Sequence, residues 1–166
     1  MKSLTIVTVV LLLGVLGVGL FMPKPAFVSP MVNKQAPEFI VPDILGGEIT
    51  NKDAKGKYVL LNFFASWCVS CLGEHPNILA LKGHKNLTVY GIAWHDDKES
   101  LSQWLKKNGN PYDKVGLDDE GKLIIDFGIS GVPESFLISP EGEIVFHQIG
   151  VLDKESIEKN ILKIVN

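Results

Sequence analysis

An α/β fold with a central mixed sheet flanked by helices is expected from three features of this 166-residue chain. Apolar, strand-like runs alternate with helical stretches through the middle of the sequence. The run Tyr58–Ala65 is almost continuously apolar, as a central strand covered on both faces requires. The last third changes to an antiparallel hairpin pattern followed by one more helix.

The elements follow in chain order. Leu4–Met22 is a stretch of nineteen residues without a charge, preceded by Met1 and Lys2. As a helix it would span about 28 Å, close to the apolar thickness of a bilayer. A cleaved signal peptide normally has an apolar core of about 7 to 15 residues followed by a small-x-small site. Pro23-Lys24-Pro25-Ala26-Phe27 offers no such site, which favours an uncleaved anchor over residues 1–24. Its positive amino end would stay cytoplasmic, with the remainder outside that membrane. Residues 25–34, with Pro30, read as a tether, and 35–166 as one domain. After the strand at Tyr58–Ala65, a helix is expected from Cys68 to about Leu81, kinked by Pro76. Leu87–Trp94 reads as a second buried strand and Lys98–Asn108 as an amphipathic helix stopped by Gly109-Asn110-Pro111. A short strand at Val115–Leu117 and a short helix at Gly121–Phe127 follow. Ser135–Ser139 and Glu143–Gln148 form a hairpin across Pro140-Glu141-Gly142, and Asp153–Val165 is the closing helix.

Charge narrows the function classes. Residues 1–24 hold two of the sixteen lysines and arginines and none of the nineteen acids, leaving fourteen basic against nineteen acidic residues, a net −5. That balance argues against a nucleic-acid partner.

The only two cysteines lie in Trp67-Cys68-Val69-Ser70-Cys71, directly after the central strand. A strand that delivers Cys-x-x-Cys to a helix start is the arrangement of a redox dithiol. A purely structural crosslink over so short a loop would contribute only about 2 kcal/mol, which makes stability a weak reason for the pair. Zinc would need two further ligands from His75, His84, His95 or His147, and none has the paired histidine spacing of a finger. Covalent haem attachment would need a histidine after the second cysteine, where Leu72 stands.

This order of elements, with Trp-Cys-x-x-Cys after a central strand and Gly131-Val132-Pro133 before the hairpin, resembles the thioredoxin fold from Gln35 to Asn166, with a helix and strand inserted between about 95 and 118. Several strings are together similar to the membrane-anchored thiol:disulfide interchange proteins of cytochrome c biogenesis, the CcmG/DsbE group. They are Ala36-Pro37-Glu38-Phe39, Leu61 to Cys68, Gly91-Ile92-Ala93-Trp94 with Asp96-Asp97, Gly109-Asn110-Pro111-Tyr112, and Gly128 to Ile138. The resemblance implies a periplasmic, inner-membrane reductant of disulfides in apocytochrome c or in an assembly factor carrying Cys-x-x-Cys. A transmembrane thiol reductase would restore the thiols, with no cofactor beyond the Cys68–Cys71 redox pair and no metal. The alternatives are a disulfide oxidase of the same fold and a copper chaperone using the same cysteines. A peroxidase is a further rival, since Ala36-Pro37-Glu38-Phe39 also looks like the opening of peroxiredoxins. Those enzymes place a threonine or serine and a proline ahead of the reactive cysteine, whereas here Phe64-Ala65-Ser66-Trp67 precedes it.

Cys68, at the helix amino end, is expected to be the attacking thiolate, because unpaired amides and the helix dipole stabilise its charge. Cys71, one turn further in, is the resolving thiol. Asn62 departs from thioredoxin, where the matching strand position carries a buried acid. An amide cannot act as a general base. Glu74, three residues after Cys71, is the candidate for proton transfer and thiol tuning, the alternative being a solvated carboxylate at a helix start. Trp67 either packs or shapes the substrate-facing surface. Pro133 is carried over as a cis-proline that lets the Val132 backbone pair with an extended substrate. Glu134 either lines that groove or sits at the hairpin edge. His75, His95 and His147 receive no role. Val69-Ser70 between the cysteines departs from the proline-containing versions common in related proteins.

Overall fold

The computed structural model describes residues 2–21, 29–53 and 56–166. Helix α1 spans Lys2–Phe21. Among the described residues no helix is long and apolar enough to cross a membrane, and several side chains of α1 lie outside that set. A small antiparallel hairpin, β1 (Ile40–Pro42) and β2 (Glu48–Thr50), precedes the main sheet. That sheet comprises β3 (Tyr58–Phe64), β4 (Leu87–Trp94), β5 (Lys114–Asp118), β6 (Glu134–Ile138) and β7 (Ile144–Ile149). Its spatial order is β5-β4-β3-β6-β7, with β3, β4 and β5 parallel and β6 antiparallel to both β3 and β7. Helices α2 (Val69–Leu79), α3 (Lys98–Asn108) and α4 (Lys122–Asp126) connect the strands. The closing helix is α5 (Lys154–Ser156), a π-helical segment Ile157–Leu162, and α6 (Lys163–Val165).

This is the thioredoxin-like architecture expected from the sequence. The inserted helix and strand, α3 and β5, place a parallel strand on the edge of the sheet beside β4. Alternation along β3 divides the interior into two cores. Leu60 and Phe64 face one core with Ile78 of α2, Leu101 of α3 and Ile161 of the closing helix. Leu61 and Phe63 face the other with Val41, Ile49, Phe127 and Phe136. By the same alternation Asn62 falls on the α2 side, opposite Gly91 of β4 and Ser135 of β6.

Two features differ from the sequence reading. The β1–β2 hairpin was not expected; its strands are three residues each, and β1 ends on Pro42. It covers the second core, with Ile44 N–H donating to Val115 O at 2.9 Å and Asp43 bridging to Gly116. The tether assigned to residues 25–34 is packed over its described part. Ser29 is buried, Asn33 N–H donates to Ile144 O (2.9 Å) and Ile144 N–H donates to Lys34 O (2.8 Å), so residues 29–34 belong to the folded body. The chain there pairs with β7, which is why a proline-containing stretch of mixed polarity is not a free linker.

Gly91 marks the tightest packing near the site. A Cβ there would lie 2.8 Å from Phe64 Cε1 and 2.9 Å from two ring carbons of Tyr112. Both rings are buried and packed on each other with centroids 4.7 Å apart, so neither can yield cheaply. Gly91→Ala is expected to destabilise the protein by about 1–3 kcal/mol, read as a lowered urea midpoint with an unchanged slope.

Candidate active site

Between the end of β3 at Phe64 and the start of α2 at Val69 the chain turns within four residues, closed by Cys68 N–H donating to Ala65 O at 3.2 Å. Cys68 is the N-cap of α2, in extended conformation, and its Sγ accepts from Cys71 N–H at 3.1 Å. A sulfur thus takes the capping position that a serine or aspartate oxygen usually fills. Cys68 and Cys71 form a disulfide, with Cα atoms 5.3 Å apart. Ser70 Oγ lies 3.3 Å from Cys68 Sγ, giving that sulfur a second polar neighbour at the positive end of the helix. Cys68 is the more accessible of the two, 6% exposed against 2%.

Facing the disulfide is the loop that enters β6. The Val132–Pro133 peptide is cis, and Val132 O lies 3.7 Å from Cys68 Sγ. Pro133 O accepts from Gly150 N–H at 3.0 Å, which joins this loop to the end of β7. Exposed side chains next to the cysteines in the chain are Trp67, Val69, Ser70 and Leu72, and Ile149 and Val151 are exposed on either side of Gly150, which bonds Pro133 O. Trp67 is 56% exposed, so it shapes the surface rather than filling the core. Its indole N–H donates to His95 O at 2.9 Å.

Behind the disulfide lies a closed polar network. Asn62 Nδ2 donates to Glu74 Oε1 (2.8 Å) and to Ser135 Oγ (3.0 Å), and Asn62 Oδ1 accepts from Tyr112 O–H (2.8 Å). Glu74 Oε2 accepts from Leu152 N–H at 2.7 Å. Glu74 is buried, not a solvated carboxylate. Burial pushes its pKa up to about 7, against the lowering effect of the bonds from Leu152 and Asn62. The Tyr112 hydroxyl is held well above its usual range, first by burial and then by the nearby charge of Glu74. A carboxyl group titrating near neutrality, one helical turn from Cys71, can hold or release a proton where Asn62 cannot.

Glu134 occupies neither of the two places expected for it. Its side chain is 1% exposed and lies under the loop, where Oε2 accepts from Ser130 N–H (3.1 Å) and Ser130 O–H (3.3 Å), and Oε1 meets His147 Nε2 at 2.7 Å. Its position on β6 points it into the second core, away from the groove. His75, given no role from the sequence, is buried on α2, with its ring nitrogen 2.9 Å from Gly109 O and its ring edge-to-face with Trp104. Burial lowers its pKa. Asp96 was absent from the sequence-derived site. Its carboxylate accepts from Ser66 N–H (2.6 Å) and Ser66 O–H (2.9 Å), clamping the turn before Cys68. His95, at φ +46°, bends β4 outward so that its carbonyl reaches Trp67 while Asp96 reaches Ser66. Asp97 caps α3, whereas the role of Asp96 depends on a contact thirty residues away. Among the described residues no group of three or more His, Cys, Asp or Glu is placed to hold a metal ion.

A thioredoxin-type sheet that presents a Cys-x-x-Cys disulfide at a helix start, opposite a cis-proline, defines a thiol:disulfide exchange protein. Comparison with known proteins agrees. Residues 32–147 match the AhpC/TSA family. The chain is 34% identical to the thiol:disulfide interchange protein DsbE of Xylella fastidiosa (strain Temecula1), covering 95% of this chain and 87% of that one. It is 33% identical to HelX, the thiol:disulfide interchange protein of Rhodobacter capsulatus, covering 96% and 94%. In structure it is similar to the thioredoxin domain of a thiol-disulfide oxidoreductase from Bacteroides vulgatus, with a TM-score of 0.72 and 27% identity over 83% of this chain and 100% of that one. The chain belongs to the AhpC/TSA family and, within it, to the thiol:disulfide interchange proteins of the DsbE and HelX type.

The raised pKa of Glu74 has a consequence for stability. An acid whose pKa is higher in the folded state stabilises the fold fully below its unfolded value of 4.5 and ceases to do so as pH rises through the folded value near 7. Between pH 4.5 and 8 the oxidised protein is therefore expected to lose up to about 3 kcal/mol relative to Glu74→Gln, whose pH slope lacks this component. Urea unfolding of both proteins across that range checks it. Parallel pH profiles would show that Glu74 does not titrate as described.

Proposed function

We propose that the protein is a membrane-anchored reductant of protein disulfides, acting outside the cytoplasmic membrane on apocytochrome c or on an assembly partner that carries Cys-x-x-Cys. The observation that carries the chemical part is the placement of Cys68 Sγ 3.7 Å from Val132 O, beside the exposed side chains of Trp67, Val69 and Ser70. An extended substrate segment pairing with the Val132 backbone brings its disulfide onto the helix-capping sulfur. The uncharged stretch Leu4–Met22 behind a single lysine supports the anchor, and a disulfide-permissive compartment supplies the oxidised substrate.

The reaction starts from the dithiol form. The Cys68 thiolate attacks one substrate sulfur, breaking the substrate S–S bond and forming a mixed disulfide while the other substrate sulfur leaves as a thiolate. Cys71, deprotonated as Glu74 accepts its proton, attacks Cys68 Sγ. The mixed disulfide breaks and the second substrate thiolate is released. Two electrons have passed to the substrate, and the protein is left as the Cys68–Cys71 disulfide. A membrane thiol reductase restores the dithiol. No bound cofactor is needed.

Two measurements on the full-length protein in detergent test this. Cys71→Ser is expected to accumulate a mixed disulfide through Cys68 with a peptide bearing an oxidised Cys-x-x-Cys-His sequence, and Cys68→Ser to trap none; the reverse pattern would reassign the nucleophile. Equilibration with thiol buffers is expected to give a potential at or below about −200 to −230 mV, whereas a value near −120 mV would make the protein an oxidant.

A further inference from the structure

The Glu134–His147 pair lies outside the dithiol chemistry, yet it is the most deeply enclosed ion-pairing contact among the described residues, with side chains 1% and 4% exposed. Its geometry is set by the sheet. The β6–β7 register places His147 opposite Phe136, and the two rings stack with centroids 3.9 Å apart and planes 13° from parallel. That stacking fixes the ring plane, and Nε2 then points at Glu134 Oε1, 2.7 Å away. The other carboxylate oxygen takes both hydrogens that Ser130 can donate, at 3.1 Å from its backbone nitrogen and 3.3 Å from its hydroxyl.

We infer that His147 is a positioning residue for substrate binding: through Glu134 it holds Ser130, and with it the Ser130–Pro133 loop whose Val132 edge receives the substrate. The loop needs such a hold. Gly128, at φ +64°, and Gly131 give it backbone freedom, Ser130 is itself exposed, and beyond Ser130 the loop is held by the partly buried side chain of Val132 and by Pro133 O, bonded to Gly150. One buried carboxylate, aimed by one histidine, therefore ties the tip of the loop to β7. A buried carboxylate deprived of its donor seeks another partner, and Ser130 is released as it does so. The inference rests on the reading of Val132 as the substrate-pairing edge.

Two substitutions separate the hydrogen bond from the packing. His147→Phe keeps a ring on Phe136 and removes the donor; His147→Gln removes the ring and keeps an N–H for Glu134. With a peptide carrying an intramolecular Cys-x-x-Cys disulfide as the probe, and a small dithiol supplied as the reductant that restores Cys68 and Cys71 after each turnover, His147→Phe is expected to raise the peptide KM roughly tenfold with kcat changed less than about twofold. The Cys68/Cys71 potential should stay at the wild-type value, and amide exchange at Ser130 should accelerate roughly tenfold or more while that at Ile144 does not. His147→Gln should behave as wild type on all counts. An unchanged KM and protected Ser130 in His147→Phe would overturn the inference, as would equal impairment of both variants. If His147→Phe does not fold, the double variant Glu134→Leu/His147→Phe removes the buried carboxyl group together with its ring partner and is expected to show the same KM and exchange changes; wild-type values there would overturn it too. Failure of the wild-type protein to reduce the peptide would instead sink the proposed function, and exchange at Ser130 would still decide whether His147 tethers the loop.

Discussion

The amide of Asn62 is the point on which the site depends. Buried deep in β3, it must satisfy two donors and an acceptor without water, and it does so with Glu74, Ser135 and Tyr112. Those partners come from α2, from β6 and from the loop before β5. The pitch and rotation of α2 over the sheet are therefore fixed by polar geometry as well as by apolar packing. Because α2 begins at the cysteines, whatever sets its rotation also sets where Cys68 meets Val132. The Leu152 amide bonded to Glu74 extends the same constraint to the segment just before the closing helix.

The network places a carboxyl group on α2 and bonds it to an amide in β3, a strand that carries no acid. An amide there costs no ionisation energy and orients the carboxyl from below. The carboxyl, enclosed and bonded by two N–H donors, is held in the range where a small change nearby tips its protonation. Forming or breaking the adjacent disulfide is such a change, since it alters the charge that Cys71 can carry.

Much of this was legible in the sequence. The ends of β4 and α3 coincide with the expected Leu87–Trp94 and Lys98–Asn108, because a run of apolar residues and a capped amphipathic stretch are local signals. Cys68, Cys71 and the Val132–Pro133 loop were placed by their motifs. The β1–β2 hairpin escaped because three-residue strands carry too little periodicity, and the π-helical segment because its backbone widening has no side-chain pattern. Glu134 and Asp96 mark a different limit. Each carboxylate's work is decided by partners: Glu134 by a histidine thirteen residues on, and Asp96 by a serine thirty residues back. Nothing local distinguishes such a group from a solvated one.

The two halves of the reactive cleft are gripped from opposite ends of the sheet. Asp96 and His95, after β4, hold the turn that carries Cys68, whereas His147 on β7 holds the loop that carries Val132. No side chain is shared between the grips. A change at the β4 corner therefore acts on the placement of Cys68, and a change along β7 acts on the placement of Val132, so the spacing between sulfur and carbonyl can be reached from either side independently.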